Sequence, residues 1–172
     1  MNITKSLLKL DLFKIISKHN VICAIIIAGL FTIDRFFKNK IINNQLNSNS
    51  IFINDYLNFD LVWNRGIGFG IFALEANIYY HLISLLILFV LFFLIYLIIK
   101  SNLIDKILFS AIFGGAIGNF YDRITYYAVP DFIDLHYNEY HWFTFNIADI
   151  FITLGIILII IKDLIFKQNA KN

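Results

Sequence analysis

The same amide–carboxylate pair occurs twice at one spacing in this 172-residue chain: Asn119 with Asp122, and Asn146 with Asp149. Residues three apart on a helix share a face, so each pair projects together. Asp34 and Asp131 complete a set of four acids near the ends of long apolar runs. At membrane depth an ionisable group is costly unless it is paired or faces a wet cavity, which makes each a candidate functional residue. Two carboxylates in one small site do not both ionise readily, so the pair holds one proton with one low and one raised apparent pKa. The ionised member can deprotonate water while the protonated one polarises a carbonyl and later helps protonate a departing amine. That is amide hydrolysis without a covalent intermediate. Spacing leaves the partner of Asp149 open between Asp131 and Asp122 and leans slightly to Asp122. A non-catalytic part for the last pair is compatible with this, because Asn is a favoured N-cap and Asp in the first turn complements the helix dipole.

Other chemistries find less material. Ser84 and Ser110 stand in apolar runs away from the polar cluster, with no clear basic partner at their depth, so a serine nucleophile lacks its base. Asp131, Asp134, His136, Glu139 and His141 include metal-binding residue types, but His136 and His141 are five apart. That separation matches no familiar zinc spacing, and no metal is expected. Gly66, Gly68 and Gly70 leave one face of their segment without side chains, which suits a close backbone approach to a ligand or a bend. They do not form G-x-G-x-x-G in a βαβ context, so no dinucleotide cofactor is implied. Gly114 and Gly118 have the spacing that lets one helix approach another closely, and Gly115 is read as packing too. Arg123 is expected to neutralise Asp122 or to reach the headgroups.

The elements that must position these residues follow from composition. The chain is 59% hydrophobic and 15% charged, far from the balance of a soluble domain. Apolar stretches over residues 21–37, 78–99, 107–124 and 147–161 predict four transmembrane helices in a single all-α membrane domain spanning 1–172, with a β-containing segment over 39–77. Within that segment Leu57, Phe59, Leu61 and Trp63 alternate with Asn58, Asp60, Val62 and Asn64, the period of a half-buried strand. Residues 72–77 read as a short interfacial helix. Residues 125–145 read as a loop joining the last two helices and delivering Asp131. Nine lysines lie in the two tails and the loop after the second span, against five cations elsewhere, which predicts cytoplasmic termini and the polar cluster at the outer face. No small-x-small cleavage site follows the first apolar run, so a removed leader is not expected. Cys23 is alone and lies in an apolar run, excluding an internal disulfide. The net charge of +2 follows from topology and implies no nucleic acid. Nothing in the chain specifies an oligomeric state.

Three motifs in order resemble those of the bacterial lipoprotein signal peptidases, also called signal peptidase II. Gly114-Gly115-Ala116-Ile117-Gly118-Asn119-Phe120-Tyr121-Asp122-Arg123 matches G-G-x-x-G-N-x-x-D-R, Val129-Pro130-Asp131-Phe132 is similar to V-x-D-F, and Phe145-Asn146-Ile147-Ala148-Asp149 to F-N-x-A-D. Asp34 to Lys38 resembles D-x-x-x-K, and Asn64 to Phe69 resembles N-x-G-x-x-F. The resemblance spans nearly the whole chain. It implies that Asp131 and Asp149 are the catalytic dyad, and that Asp34, Lys38, Asn64, Gly66, Asn119, Asp122, Arg123 and Asn146 support the site or bind substrate. It further implies an inner-membrane enzyme acting on lipid-modified prolipoproteins among membrane lipids, cutting before the lipidated cysteine, with neither cofactor nor metal. Pro130 stands where a branched apolar residue is commoner, and Ile67-Gly68 replaces Ala-Ala; these bear on cradle shape and substrate preference. Asp149 is then fixed by the start of the last helix, while Asp131 arrives on a proline-stiffened loop and is the acid expected to move. A proton-conducting transporter and a lipid-binding scaffold are the competing readings.

Overall fold

A computed structural model of the chain describes residues 17–45, 50–66 and 78–169. It contains four helices, α1 (Lys18–Gln45), α2 (Ile78–Lys100), α3 (Leu103–Tyr126) and α4 (Ile147–Asn169), and four strands, β1 (Ile51–Asn54), β2 (Leu57–Asn64), β3 (Val129–Tyr137) and β4 (Tyr140–Phe145). The strands form one antiparallel sheet in the order β1-β2-β3-β4. The predicted strand is β2. Gly68, Gly70 and the short helix expected over 72–77 lie outside the described residues.

Among the described residues three helices are long and apolar enough to cross a membrane: Lys18–Asn44, Tyr80–Lys100 and Leu103–Tyr126. The outward faces are apolar, as a lipid solvent requires: Leu86, Phe89, Phe92 and Phe93 of α2 are all well exposed. α4 is of similar length but carries Asp149, Lys162 and Asp163. Helix α1 continues eight residues past the predicted stop at 37. The charges that looked like a membrane boundary are buried against partners, so they do not end the helix.

Helix α3 packs against the other three helices. Its glycines set the distances. A Cβ on Gly114 would lie 3.1 Å from Leu30 Cβ, and one on Gly118 would lie 2.8 Å from Asp34 Oδ2, so both face α1. A Cβ on Gly115 would lie 2.6 Å from the backbone oxygen of Ala148 in the first turn of α4. Gly115→Ala is therefore expected to push the start of α4 away and to cost about 1–3 kcal/mol, read by thermal unfolding in detergent. A Cβ on Gly114 would come no nearer than 3.1 Å to Leu30 Cβ and 3.3 Å to the Ile27 backbone, against 2.6 Å at Gly115, so Gly114→Ala should cost less.

The second expectation to be corrected is the loop over 125–145, which is the β3–β4 hairpin. Pro130 and the acids at 131 and 134 interrupt the apolar alternation that marks a strand. Pro130 is tolerated because β4 pairs only with Ile133 to Tyr137, leaving the start of β3 with β2 alone. Asn138 supplies the turn, with φ of 53°, as a two-residue hairpin loop demands. Asp131 thus sits on a strand opposite Val62, not on a loop. That removes the reason for expecting it to be the acid that moves.

Candidate active site

At one end of the helices the polar residues form a connected network. It begins on α1, where Asp34 and Lys38 are one turn apart and fully buried. The Lys38 ammonium donates to Asp122 Oδ2 at 2.8 Å and Asn119 Oδ1 at 2.7 Å and forms an ion pair with Asp34 Oδ2 at 2.9 Å. Arg35 grips Asp122 with both terminal nitrogens and also reaches Asp34 at 3.0 Å. Its guanidinium lies over the Tyr121 ring, 5.1 Å from the centroid. Two cations thus face two carboxylates, which makes this buried cluster charge-balanced.

Lysine is a donor only, so its bond to Asn119 Oδ1 fixes the amide with the nitrogen pointing away. That nitrogen donates to Asp149 Oδ1 at 2.8 Å. Asp149 belongs to a reciprocal cap at the start of α4: its backbone N–H donates to Asn146 Oδ1 at 3.1 Å, and its Oδ2 accepts from the Asn146 N–H at 3.1 Å. Asn146 is thus the N-cap that the sequence suggested, and Asp149 closes the reciprocal bond of a capping box. A further orphan donor of the helix, the Ala148 N–H, is taken by Asp34 Oδ1 at 3.2 Å. The Asn146 side chain, fully buried, donates onward to Asp131 Oδ1 at 2.5 Å. The other oxygen of Asp131 accepts from Asn64 Nδ2 at 2.8 Å, and Asn64 Oδ1 accepts the Gly66 N–H at 2.8 Å. Lys38, Asn119, Asp149, Asn146, Asp131 and Asn64 are therefore one chain of hydrogen bonds.

Asp131 and Asp149 line the same cavity of about 410 Å³, and Asn64, Asn119 and Arg123 share its wall. Apart from Thr153 the remaining lining is apolar and includes Ile87 and Val90 of α2 and Ile152 and Ile156 of α4. Burial and the nearby charge of Asp149 push the Asp131 carboxyl up to about 7, against the opposing pull of the Asn64 and Asn146 amides.

Every supporting residue singled out in the sequence falls in or beside this network, but two roles differ from expectation. Arg123 does not neutralise Asp122. It donates to the Gly66 carbonyl and lies over the Tyr80 ring at 5.7 Å, while Tyr80 donates back to the Arg123 carbonyl at 2.9 Å. Its guanidinium turns to Gly66 and Tyr80 instead, which is why adjacency misled. The carboxylate instead belongs to Lys38 and Arg35. Arg35 escaped the sequence reading, although its place beside Asp34 in a row of buried acids was a signal: the acids needed a second cation.

With this geometry in hand, the chain was compared with known proteins. Residues 26–165 match the family described as signal peptidase (SPase) II. A lipoprotein signal peptidase from Pelagibacter ubique (strain HTCC1062) is 43% identical over 164 residues, covering 92% of this chain and 99% of that protein. Proteins of the same description from Wigglesworthia glossinidia brevipalpis and Anaplasma marginale (strain Florida) are 36% and 37% identical, covering 85% and 89% of this chain and 96% and 90% of theirs. A bacterial membrane enzyme solved by the in meso method at 2.3 Å resolution superposes with a TM-score of 0.72 at 32% identity, covering 86% of this chain and 90% of the other. A second, solved at 1.9 Å, gives 0.68 at 33% identity, over 83% and 92%. These likenesses place the molecule among membrane-embedded aspartic peptidases. The chain belongs to the signal peptidase II family.

Proposed function

We propose that this enzyme removes the signal peptide from diacylglyceryl-modified prolipoproteins, cutting before the lipidated cysteine, with Asp131 and Asp149 as the catalytic pair. The observation that carries the reading is the shared cavity: buried Asp131 and half-buried Asp149, each accepting from two donors, line one largely apolar chamber. The pair keeps one proton between them. Its ionised member takes a proton from water as the water attacks the scissile carbonyl, and the protonated member donates to the carbonyl oxygen. As the C–N bond then breaks, the proton taken from water passes to the nitrogen, which leaves as an amine, and the hydroxyl proton returns to the other carboxylate. Among the described residues, Arg123 Nη1 is buried without a hydrogen-bond partner, and as a cavity-lining donor it suits a substrate carbonyl. The apolar wall from α2 and α4 suits acyl chains or the hydrophobic part of the signal peptide.

The topology that goes with this role has four spans in one domain, with α4 as the fourth, both termini in the cytoplasm and the dyad toward the outer face of the bacterial inner membrane. The lysine distribution supports it. A proton conduit is disfavoured because, among the described residues, the interior beyond the network is filled by the apolar cluster of Cys23, Leu91, Leu94, Ile98, Ile112 and Phe113. The test is cleavage of a purified precursor with and without its diacylglyceryl group. The lipidated form is expected to be cut before the modified cysteine and the unlipidated form left intact.

The raised Asp131 carboxyl sets a pH dependence. Below about 7 Asp131 keeps the shared proton; above it the acid is lost and both carboxylates are charged. The second-order rate constant kcat/KM should therefore fall above neutral pH, approaching about tenfold per unit. The amide of Asn64 favours the charged form, so Asn64→Ala should move this alkaline limb to higher pH. A profile flat to pH 9 in the wild type would contradict the proton assignment.

A further inference from the structure

Beyond the cavity, the β3–β4 hairpin gathers three side chains that the peptidase reading does not use. His136 and His141 are direct register partners across the two strands. A hairpin thus brings together histidines whose separation along the chain fits no helical or loop spacing. Their rings stack with centroids 5.3 Å apart. Asp134 is two residues before His136 and so lies on the same face of β3. Its Oδ2 is 2.7 Å from His141 Nδ1 and 3.8 Å from His136 Nδ1. One ligating atom from each of the three lies within 4.8 Å of the other two. Asp134 is buried, and the His136 side chain is only 8% exposed. Among the described residues, His136 Nδ1 nevertheless has no hydrogen-bond partner. A buried ring nitrogen is costly to leave unpaired. A cation between the three atoms would use its lone pair.

We propose that Asp134, His136 and His141 bind a divalent transition-metal ion of the zinc class, at a site separate from the catalytic pair. Two imidazole nitrogens and one carboxylate oxygen are a donor set for zinc, with a further position left for water. Magnesium and calcium prefer oxygen ligands throughout. On binding, the ion takes the place of the proton in the Asp134–His141 hydrogen bond, and that proton leaves to solvent. His141, with its side chain 57% exposed, provides access from solvent. The ion clips β4 to β3. Asp131 is three residues from Asp134 and on the opposite face of the strand, so the clip stiffens the strand that carries Asp131 without touching the dyad.

The test uses the full chain in detergent micelles, freed of metal by chelation and then titrated calorimetrically with zinc chloride or magnesium chloride. One zinc ion per chain is expected to bind, and magnesium is not. His141→Ala, at an exposed ring, and His136→Gln should each weaken zinc binding at least about tenfold. Replacing the other two histidines of the four, His19 and His81, by alanine should leave it unchanged. Zinc should also raise the Tm of the wild type but not of His141→Ala. Absence of saturable zinc binding overturns the proposal. So does zinc binding that survives both His141→Ala and His136→Gln, or that is lost in the His19→Ala, His81→Ala protein.

Discussion

Asp131→Asn and Asp149→Asn are each expected to reduce cleavage of a lipidated precursor by at least about 1,000-fold, while the protein still inserts and binds it. An asparagine cannot take a proton from water or share one with its neighbour, so either change removes the acid–base pair as a unit. Binding should persist because the apolar wall, not the carboxylates, makes most of the contact with a lipidated, apolar substrate. The fold should persist as well. At either position an amide fills the same space, and reorienting it keeps at least one of the two hydrogen bonds that each acid accepts. Single-turnover cleavage under excess enzyme measures the loss directly, without interference from product release.

Lys38→Met should produce the largest loss of stability, about 3–5 kcal/mol, and reduce cleavage as well. The ammonium is fully buried with three acceptors around it. Removing it leaves Asp34 and Asp122 sharing Arg35 alone in a buried site, one negative charge in excess. The effect reaches the dyad by a definite route: Asn119 loses the bond that orients its amide and so its hold on Asp149. Misplacing a catalytic group slightly costs on the order of 100-fold in rate. Lys38→Arg should not rescue either property, since a planar guanidinium cannot reach three acceptors arranged for a compact ammonium. A drop in Tm on the order of 10 °C is expected; an unchanged Tm in Lys38→Met would show that the charges are not coupled as described.

How far these features could be read from sequence depended on the range of the interaction. The reciprocal cap of Asn146 and Asp149 and the Asp34–Lys38 pair are local, and helical spacing is enough to see them. The close approaches at Gly114, Gly115 and Gly118 were legible for the same reason. Asp131 was not. Its place opposite Val62 depends on pairing between segments almost seventy residues apart, and a proline inside the strand masked the alternation. Spacing alone leaves the partner of Asp149 open between Asp131 and Asp122, and only the motif resemblance points to Asp131. The same blindness to cross-strand pairing hid the meeting of His136 with His141. Helix α1 runs past the predicted stop because Arg35 and Lys38 pair with Asp34 and Asp122, so these charges do not end the helix.

The central claim is that Asp131 and Asp149 act as one proton-sharing pair, and the most direct measurement is a double-mutant cycle with the lipidated precursor. Binding and single-turnover cleavage would be measured together for the wild type, Asp131→Asn, Asp149→Asn and the double variant. Each single change should lower cleavage by about 1,000-fold or more, the double variant should lose little further, and binding should be nearly the same in all four. Cleavage surviving in either single variant, or a double loss equal to the product of the single losses, would contradict a shared catalytic pair.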